Sequence, residues 1–396
     1  MNKNFIWNAI GTSLNSFNSL ILLIIVTRCN GIVLSGTFSF VFTISLILYS
    51  ISNYGGRLYQ ISDTKEEFSF NEYLTSKLYP SLISILIYIA ICIIYKFDMS
   101  TIIIGFVLLL LRIIETVSDV IYGSLQKQHK LDIVGKSLTI KSILIMLSFC
   151  IVNIITKNIL YSSFMLLISA IIVFIIYDLR KIGKIKYQFN FNIYNTSFFI
   201  FIFGFITLLT INMPRFITEY TLNESELGYL GILLMIPTVM ALVCQFLLQP
   251  QLVTLSNYYN NLEISKLKKC YVKINLSIIV FSVVCIIGAL LLGDWILSIL
   301  YGIPFDKYVF GICILILTGT FNGISTVYSS ILTIMRKTKI QLVPFTTSLL
   351  LSPIVVLILS NFYGLYGVFY SLLLVVIIQT LIFMIITNKY IKKTLL

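Results

Sequence analysis

Apolar runs about twenty residues long recur along this chain from one end to the other, and nothing constrains its fold more. A helix rises ~1.5 Å per residue, so ~20 apolar residues cross the ~30 Å hydrocarbon core of a bilayer. Unpaired backbone amides are too costly in hydrocarbon, which makes the helix the spanning form such runs adopt. Twelve spans are read, at roughly 5–27, 34–57, 74–95, 100–125, 138–156, 159–178, 194–216, 227–249, 271–293, 308–332, 342–361 and 364–387. Composition agrees: 58% of residues are hydrophobic, 11% are charged and the mean hydropathy is +1.00. Soluble domains carry about 25% charged residues. The first run is too long for a cleaved signal peptide and lacks a small-residue cleavage site, so it is expected to remain as the first span.

The net charge is +13, which would suit a nucleic-acid partner if the cations formed a patch. They do not. With the N-terminus placed inside, the inner ends and loops hold Lys3, Arg57, Lys65, Lys77, Lys127, Lys130, Lys136, Lys141, the group Arg180–Lys186, Lys266–Lys273, Arg336–Lys339 and Lys389–Lys393. The outer ends hold only Arg28, Lys96, Lys157, Arg215 and Lys307, and Arg112 falls inside a span. This bias is the positive-inside pattern of a twelve-span protein with both termini cytoplasmic.

Catalytic signals are sparse. The 7 cysteines are scattered without a CxxC pair and read as packing residues, and the 1 histidine, His129, lies in a basic loop. No loop is long enough for a soluble domain, and there is no phosphate-cradling glycine loop, HExxH or nucleophile motif. The chain is therefore not expected to be an enzyme, and no metal site is expected.

Internal repetition points to two halves. "SDVIYGSL" at 118–125 resembles "ISTVYSSI" at 324–331, each closing a span before a basic loop. Asn8 and Arg28 bracket the first span as Asn195 and Arg215 bracket the seventh. Six spans apart preserves orientation, so the halves would be parallel repeats. The expected architecture is an all-α polytopic membrane protein, with six-helix lobes at 1–190 and 191–396 around a central cavity.

Several spans carry polar residues at helical spacing: Asn4, Asn8, Thr12, Asn15 and Ser19; Ser39, Thr43, Ser50, Asn53 and Arg57; Thr318, Asn322, Ser325, Ser329 and Thr333. Steps of three, four and seven place each set on one face. Such faces should turn inward, into helix contacts or a wet cavity, and three together favour the cavity.

The fourth span is sharper. In "LLRIIETVSDVIYGSLQ", Arg112, Glu115, Asp119 and Gln126 share a face. A charge at mid-bilayer costs about 2.5–3.5 kcal/mol, so these must be paired or wet. Glu115 can pair with Arg112 at i+3; Asp119 is left either as a second partner or as an ion-coupling site. In the seventh span, "NMPRFITEYTLNESELGYLGILLMIP" places Pro214 to break the helix near the outer face, with Arg215 at its end. Guanidinium groups grip phosphate in a bidentate fork and stay charged. Arg28, Arg57, Arg112 and Arg215 at different depths would suit an anionic head group.

These two segments resemble those of the Wzx-type polysaccharide flippases in the MATE-like (multidrug/oligosaccharidyl-lipid/polysaccharide) exporter superfamily. The segment after Asn212 is similar to that family's Asn-x-Pro-Arg-aromatic and Leu-Gly-aromatic pattern, and "LRIIETVSDVIYGSLQKQHK" is similar to its fourth span. The resemblance implies alternating-access translocation of an undecaprenyl-diphosphate-linked oligosaccharide, an O-antigen or capsule repeat unit, across a bacterial inner membrane. It implies a cationic lumen at Arg112 and Arg215. The expected substrate-binding residues are Arg28, Arg57, Arg112, Arg215, Asn8, Asn15, Asn53 and Asn322. Glu115 and Asp119 are the expected ion-coupling residues, and no cofactor is expected beyond coupling to a proton or sodium gradient. Expected partners are the lipid-linked oligosaccharide and membrane lipids, with a glycan polymerase and chain-length regulator in the same assembly line, and no nucleic acid. The alternatives are a multidrug–cation antiporter of the same fold, a lipid II flippase, and a membrane glycan polymerase or ligase. The last should show a long outer loop, which this chain lacks.

Overall fold

Each apolar run becomes a helix, and the polar residues between runs set its ends. In this computed structural model residues 3–63, 66–183, 185–335 and 337–393 are described. Lys65, Lys184 and Arg336, counted above with the inner cations, lie outside the described residues, as do the side chains of Lys3, Asn4, Lys392 and Lys393. The helices are α1 (Lys3–Asn30), α2 (Ile32–Ser52), α3 (Gly56–Ser62), α4 (Phe70–Thr75), α5 (Leu78–Tyr95), α6 (Met99–Lys127), α7 (Leu131–Thr156) and α8 (Ile159–Val173). They continue with α9 (Asn192–Thr221), α10 (Glu224–Leu233), α11 (Met235–Leu248), α12 (Leu252–Asn260), α13 (Ile264–Tyr301), α14 (Val309–Ile334) and α15 (Leu342–Lys393).

Among the described residues 11 helical stretches are long and apolar enough to cross a membrane. The last of them, Lys339–Ile391, has 53 residues, too many for one crossing. Its backbone breaks at Gly364, with φ 57° and ψ −136°, so it supplies two spans and brings the number to the twelve expected. The protein is a multi-pass helical membrane protein.

Polar caps mark the helix ends. Asp98 accepts the Ser100 and Thr101 amides at the start of α6, and Asn223 accepts the Glu226 amide at the start of α10, satisfying donors that have no partner within the helix. Glu224 and Glu226 then suit the positive end of the α10 dipole.

Two compact units divide the chain, Met1–Leu208 and Leu209–Leu396. In the first, α1 runs along α7, α2 packs on α5 and α6, and α8 packs on α6 and α7. The α1–α7 crossing needs small residues: a Cβ on Gly11 would strike the Gly135 carbonyl, and one on Gly135 would strike the Trp7 backbone. The segment after α8 lies on α4, where Gln188 accepts from Ser69, Asn190 donates to Glu72, and Asn71 accepts the Lys186 amide. In the second unit α14 is central and packs against α11, α13 and α15.

Three expectations need correction. The span expected at 34–57 ends at Ser52, because Gly55 (φ 76°) and Gly56 (φ 59°) take left-handed backbone conformations that a side chain disfavours. Arg57 therefore begins α3 and does not continue the face of α2. Second, α9 runs through Pro214 without ending there; spanning helices tolerate proline when neighbouring groups satisfy the freed carbonyl. Third, much of each of two polar stripes is packed inside its own unit. Ser39, Thr43, Thr318 and Ser325 are buried; Gln379 donates to Ser325, and Gln341 bonds Ser329 and Thr333. The α14 stripe thus bonds neighbouring segments, whereas Thr12 and Asn15 on α1 are exposed.

At the aqueous edge of the first unit, Asp63 accepts the Glu67 and Phe68 amides and the Tyr73 hydroxyl. Burial alone would raise its pKa. These hydrogen bonds and the charge of Lys127 outweigh that and hold the carboxyl below its ordinary range.

Candidate functional site

Arg112, Glu115 and Asp119 on α6 each meet an opposite charge, although Arg112 Nε, like Arg215 Nε, is buried without a hydrogen-bond partner. Arg112 Nη1 donates to Glu115 Oε2 at 2.6 Å, and its guanidinium stands 4.9 Å from the centre of the Phe42 ring. Arg112 and Glu115 side chains are 14% and 18% exposed, so the pair is formed mostly away from solvent. An i,i+3 spacing on a helix allows this pairing without help from elsewhere.

Asp119 has a different role. Its Oδ2 accepts from Asn53 Nδ2 and from the Arg57 backbone amide, each at 3.1 Å, and Arg57 Nε lies 3.5 Å from Oδ1. Lys77 Nζ reaches the same place, donating to the carbonyls of Asn53 at 3.2 Å and Tyr54 at 2.9 Å. Where α2 stops, amides and carbonyls lose their helical partners. Asp119 takes a freed amide and Lys77 takes the freed carbonyls. The carboxylate is thus Arg57's ion-pair partner and the staple of a helix break. Tyr49 accepts from Asn53 Nδ2 at 3.1 Å and lies within electrostatic reach of Arg57, Arg112, Glu115 and Asp119.

A second ionic cluster was missed in the sequence. Lys141 and Asp178 side chains are only 2% and 1% exposed and lie 3.4 Å apart. Asp178 Oδ2 also accepts from Ser118 at 2.9 Å and Tyr122 at 3.2 Å, and Oδ1 accepts from Ser137. Lys141 Nζ donates to Ser118 Oγ at 3.0 Å and to Tyr122 OH at 3.2 Å. A π-helical turn, Phe174–Asp178, follows α8 and ends on the carboxylate. Lys141 was counted with the inner-end cations, and Asp178 precedes the basic run Leu179–Lys181. The available signal was spacing: Ser118 and Tyr122 are four apart on α6, as are Ser137 and Lys141 on α7.

Arg215 stands apart in the second unit. It is 8% exposed, and its Nη1 donates to Asn212 Oδ1 at 2.8 Å. No carboxylate lies within ion-pair distance among the described residues. Its Nε and the Thr218 hydroxyl, three residues on along the same face, are buried without a hydrogen-bond partner. Buried polar atoms are nearly always satisfied, so two orphans beside an uncompensated guanidinium call for a ligand.

The other expected ligands are dispersed. Arg28 is exposed in the last turn of α1, Asn15 is exposed and Asn8 half-buried on the same helix, and Asn322 is half-buried in α14. Of the eight, the structure gathers Asn53 and Arg57 at Asp119, and pairs Arg112 with Glu115.

Comparison with known proteins places this fold. An inward-facing multidrug-resistance MATE family transporter of the MOP superfamily matches over 99% of both chains, with a TM-score of 0.77 at 11% identity. The lipid II flippase MurJ in an inward closed conformation matches 97% of this chain and 87% of its own, with a TM-score of 0.68 at 18% identity. No family model matches the sequence. The fold is the MATE-like one shared by these proteins, which carries the resemblance over the whole chain. Among curated sequences, the capsular polysaccharide biosynthesis protein CapF of Staphylococcus aureus is 26% identical over 343 residues, covering 82% of this chain and 84% of its own.

Proposed function

We propose that the protein is a flippase that moves an undecaprenyl-diphosphate-linked oligosaccharide, an O-antigen or capsule repeat unit, across the bacterial plasma membrane by alternating access. The observation that carries this reading is Arg215: a buried guanidinium with no carboxylate partner among the described residues, beside an unsatisfied Thr218 hydroxyl. A diphosphate supplies the charge and the acceptor oxygens that these groups lack, and Asn212 holds the guanidinium in place. Reorienting a lipid-linked sugar breaks no covalent bond, so binding and release are the whole chemistry. CapF's name and MurJ's fold point the same way.

Both termini would be cytoplasmic, with the cation-rich loops inside. A proton or sodium gradient would supply the energy. Glu115 and Asp119 already face arginines, which do not deprotonate, so their best-supported role is as counter-ions. A glycan polymerase and chain-length regulator would act on the product.

The test is export. In a host that depends on this protein for surface polysaccharide, Arg215→Ala should lower export about 30-fold or more at unchanged protein level in the membrane. Normal export by that variant would remove Arg215 from the diphosphate's path. A drug-efflux assay on the same strain separates the cation-antiporter alternative.

A further inference from the structure

Residues 185–191, between α8 and α9, alternate between two kinds of surroundings. The even-numbered ones make the bonds to α4. The Lys186 amide donates to Asn71 at 3.2 Å, Gln188 accepts from Ser69 at 3.0 Å and its amide donates to Thr75 at 3.2 Å, and Asn190 donates to Glu72 at 2.8 Å. The odd-numbered ones, Ile185, Tyr187, Phe189 and Phe191, are 54%, 66%, 44% and 62% exposed. Period two sends alternate side chains to opposite sides of an extended segment. One side is thus tied to the protein, and the other is an uncovered apolar row, the mark of a membrane or protein contact.

Two observations say what covers the row. The first is continuity with a surface that faces lipid. Tyr79, in the first turn of α5, sets its ring edge-on to Phe189 at 5.2 Å, and its hydroxyl lies 3.4 Å from that of Tyr187. From Tyr79 the exposed face of α5 runs on through Leu82, Leu86, Ile89 and Ile93, at steps of three and four. In a spanning helix such a face meets hydrocarbon, and tyrosines at its end belong to the head-group layer. The second is charge. The sequence from 180 to 191 holds four basic residues and no acidic one. Arg180, Lys181 and Lys186 are exposed and form no ion pair among the described residues; Lys181 stands over the Tyr177 ring, which leaves its charge unneutralised.

We propose that this strap is a docking surface for anionic phospholipid. Ile185, Tyr187, Phe189 and Phe191 enter the boundary between head groups and acyl chains at the α4 end of the first unit, while Arg180, Lys181 and Lys186 take the phosphates of anionic head groups. An apolar row flanked by cations is the pattern of segments that lie in the membrane surface. The bonds to α4 hold the row in place before lipid arrives, so docking orders little that is not already ordered.

The experiment uses the full-length protein in nanodiscs of phosphatidylcholine containing a minor fraction of phosphatidylglycerol, with either lipid brominated on its acyl chains as the probe. Tyr187→Trp and Phe191→Trp report from the strap, after subtraction of the wild-type signal from Trp7 and Trp295. Both new tryptophans should be quenched by brominated lipid and sheltered from acrylamide in the water. Brominated phosphatidylglycerol should quench them as though enriched at least about fivefold over phosphatidylcholine, the effect of one cation near an anionic surface. The preference should fade toward ~1 M salt, where the Debye length is ~3 Å. It should be lost when Arg180→Gln, Lys181→Gln and Lys186→Gln are combined with either tryptophan. Tryptophans open to acrylamide and untouched by brominated lipid overturn the proposal and leave the row in water, free for a protein partner. Equal quenching by the two lipids, or a preference that survives the three glutamines, overturns recognition of the anionic head group.

Discussion

Tyr122 and Tyr328 hold the same place in two similar octapeptides, one in each unit, and the units surround them in opposite ways. Around Tyr122 the second unit's pattern is replaced by charge: its hydroxyl meets Ser137, Asp178 and Lys141 within 3.2 Å. Tyr328 instead packs edge-on to Tyr271, with ring centres 5.8 Å apart, among Val327, Ile331 and Leu332, and its hydroxyl bonds the uncharged Asn275 side chain. The same position thus faces an ion pair in one unit and only uncharged side chains in the other. The contrast extends to the α9 residues. The first unit compensates the charges of its spans internally, as Arg112–Glu115, Arg57–Asp119 and Lys141–Asp178. On α9 of the second unit Arg215 and Glu219 have no ion-pair partner among the described residues. Charges that are answered inside the fold hold it together; charges left open are available to a substrate.

The strongest way to break this comparison is to unbalance the buried cluster. Lys141→Ala should cost about 3–5 kcal/mol, because it strands a carboxylate that has no access to water. Replacing both Lys141 and Asp178 with Leu, which removes both charges together, should recover most of that loss. Thermal unfolding of the purified protein in detergent reads both. A single variant as stable as wild type would show that the cluster is not what holds α6, α7 and the π-helical turn together.

A smaller effect is expected at the Arg112–Glu115 pair. The double variant Arg112→Met, Glu115→Leu should change stability by no more than about 1 kcal/mol, since removing both charges leaves neither stranded. Export per folded molecule should stay within about twofold of wild type, in contrast to the loss at Arg215. A large export defect would return this pair to the substrate's path and erase the distinction between the units.

Smallest of all is the contribution of Asp63. A carboxyl held below its ordinary pKa stabilises the fold fully above that range, and the contribution fades as the pH falls through it. Amide exchange at Glu67 and Phe68, whose N–H groups Asp63 accepts, should therefore quicken below about pH 4. Asp63→Asn should remove that acid-specific change.

How much of this could be read in advance depended on distance along the chain. The spans were legible because crossing hydrocarbon is decided within ~20 consecutive residues. The Arg112–Glu115 pair was legible because helical spacing alone brings its members together. Asp119 was not assignable, since its partner depends on where α2 stops, and two glycines with left-handed backbones decide that. Lys141 was counted with the inner-end cations and its partner went unseen, because Asp178, 37 residues away, enters its surroundings only after α7 and α8 have packed.

For the stretch "LLRIIETVSDVIYGSLQ", periodicity alone placed its charges on one helical face and inside the membrane. Packing then divided them, giving Glu115 to Arg112 along the helix and Asp119 to the broken end of α2. Hydrophobic length is a local property, so the amino-acid order was enough to set the membrane architecture. Whether a buried charge is spent on the fold or left open to a ligand depends on groups far away in sequence. Only the folded chain brings those groups within hydrogen-bonding distance.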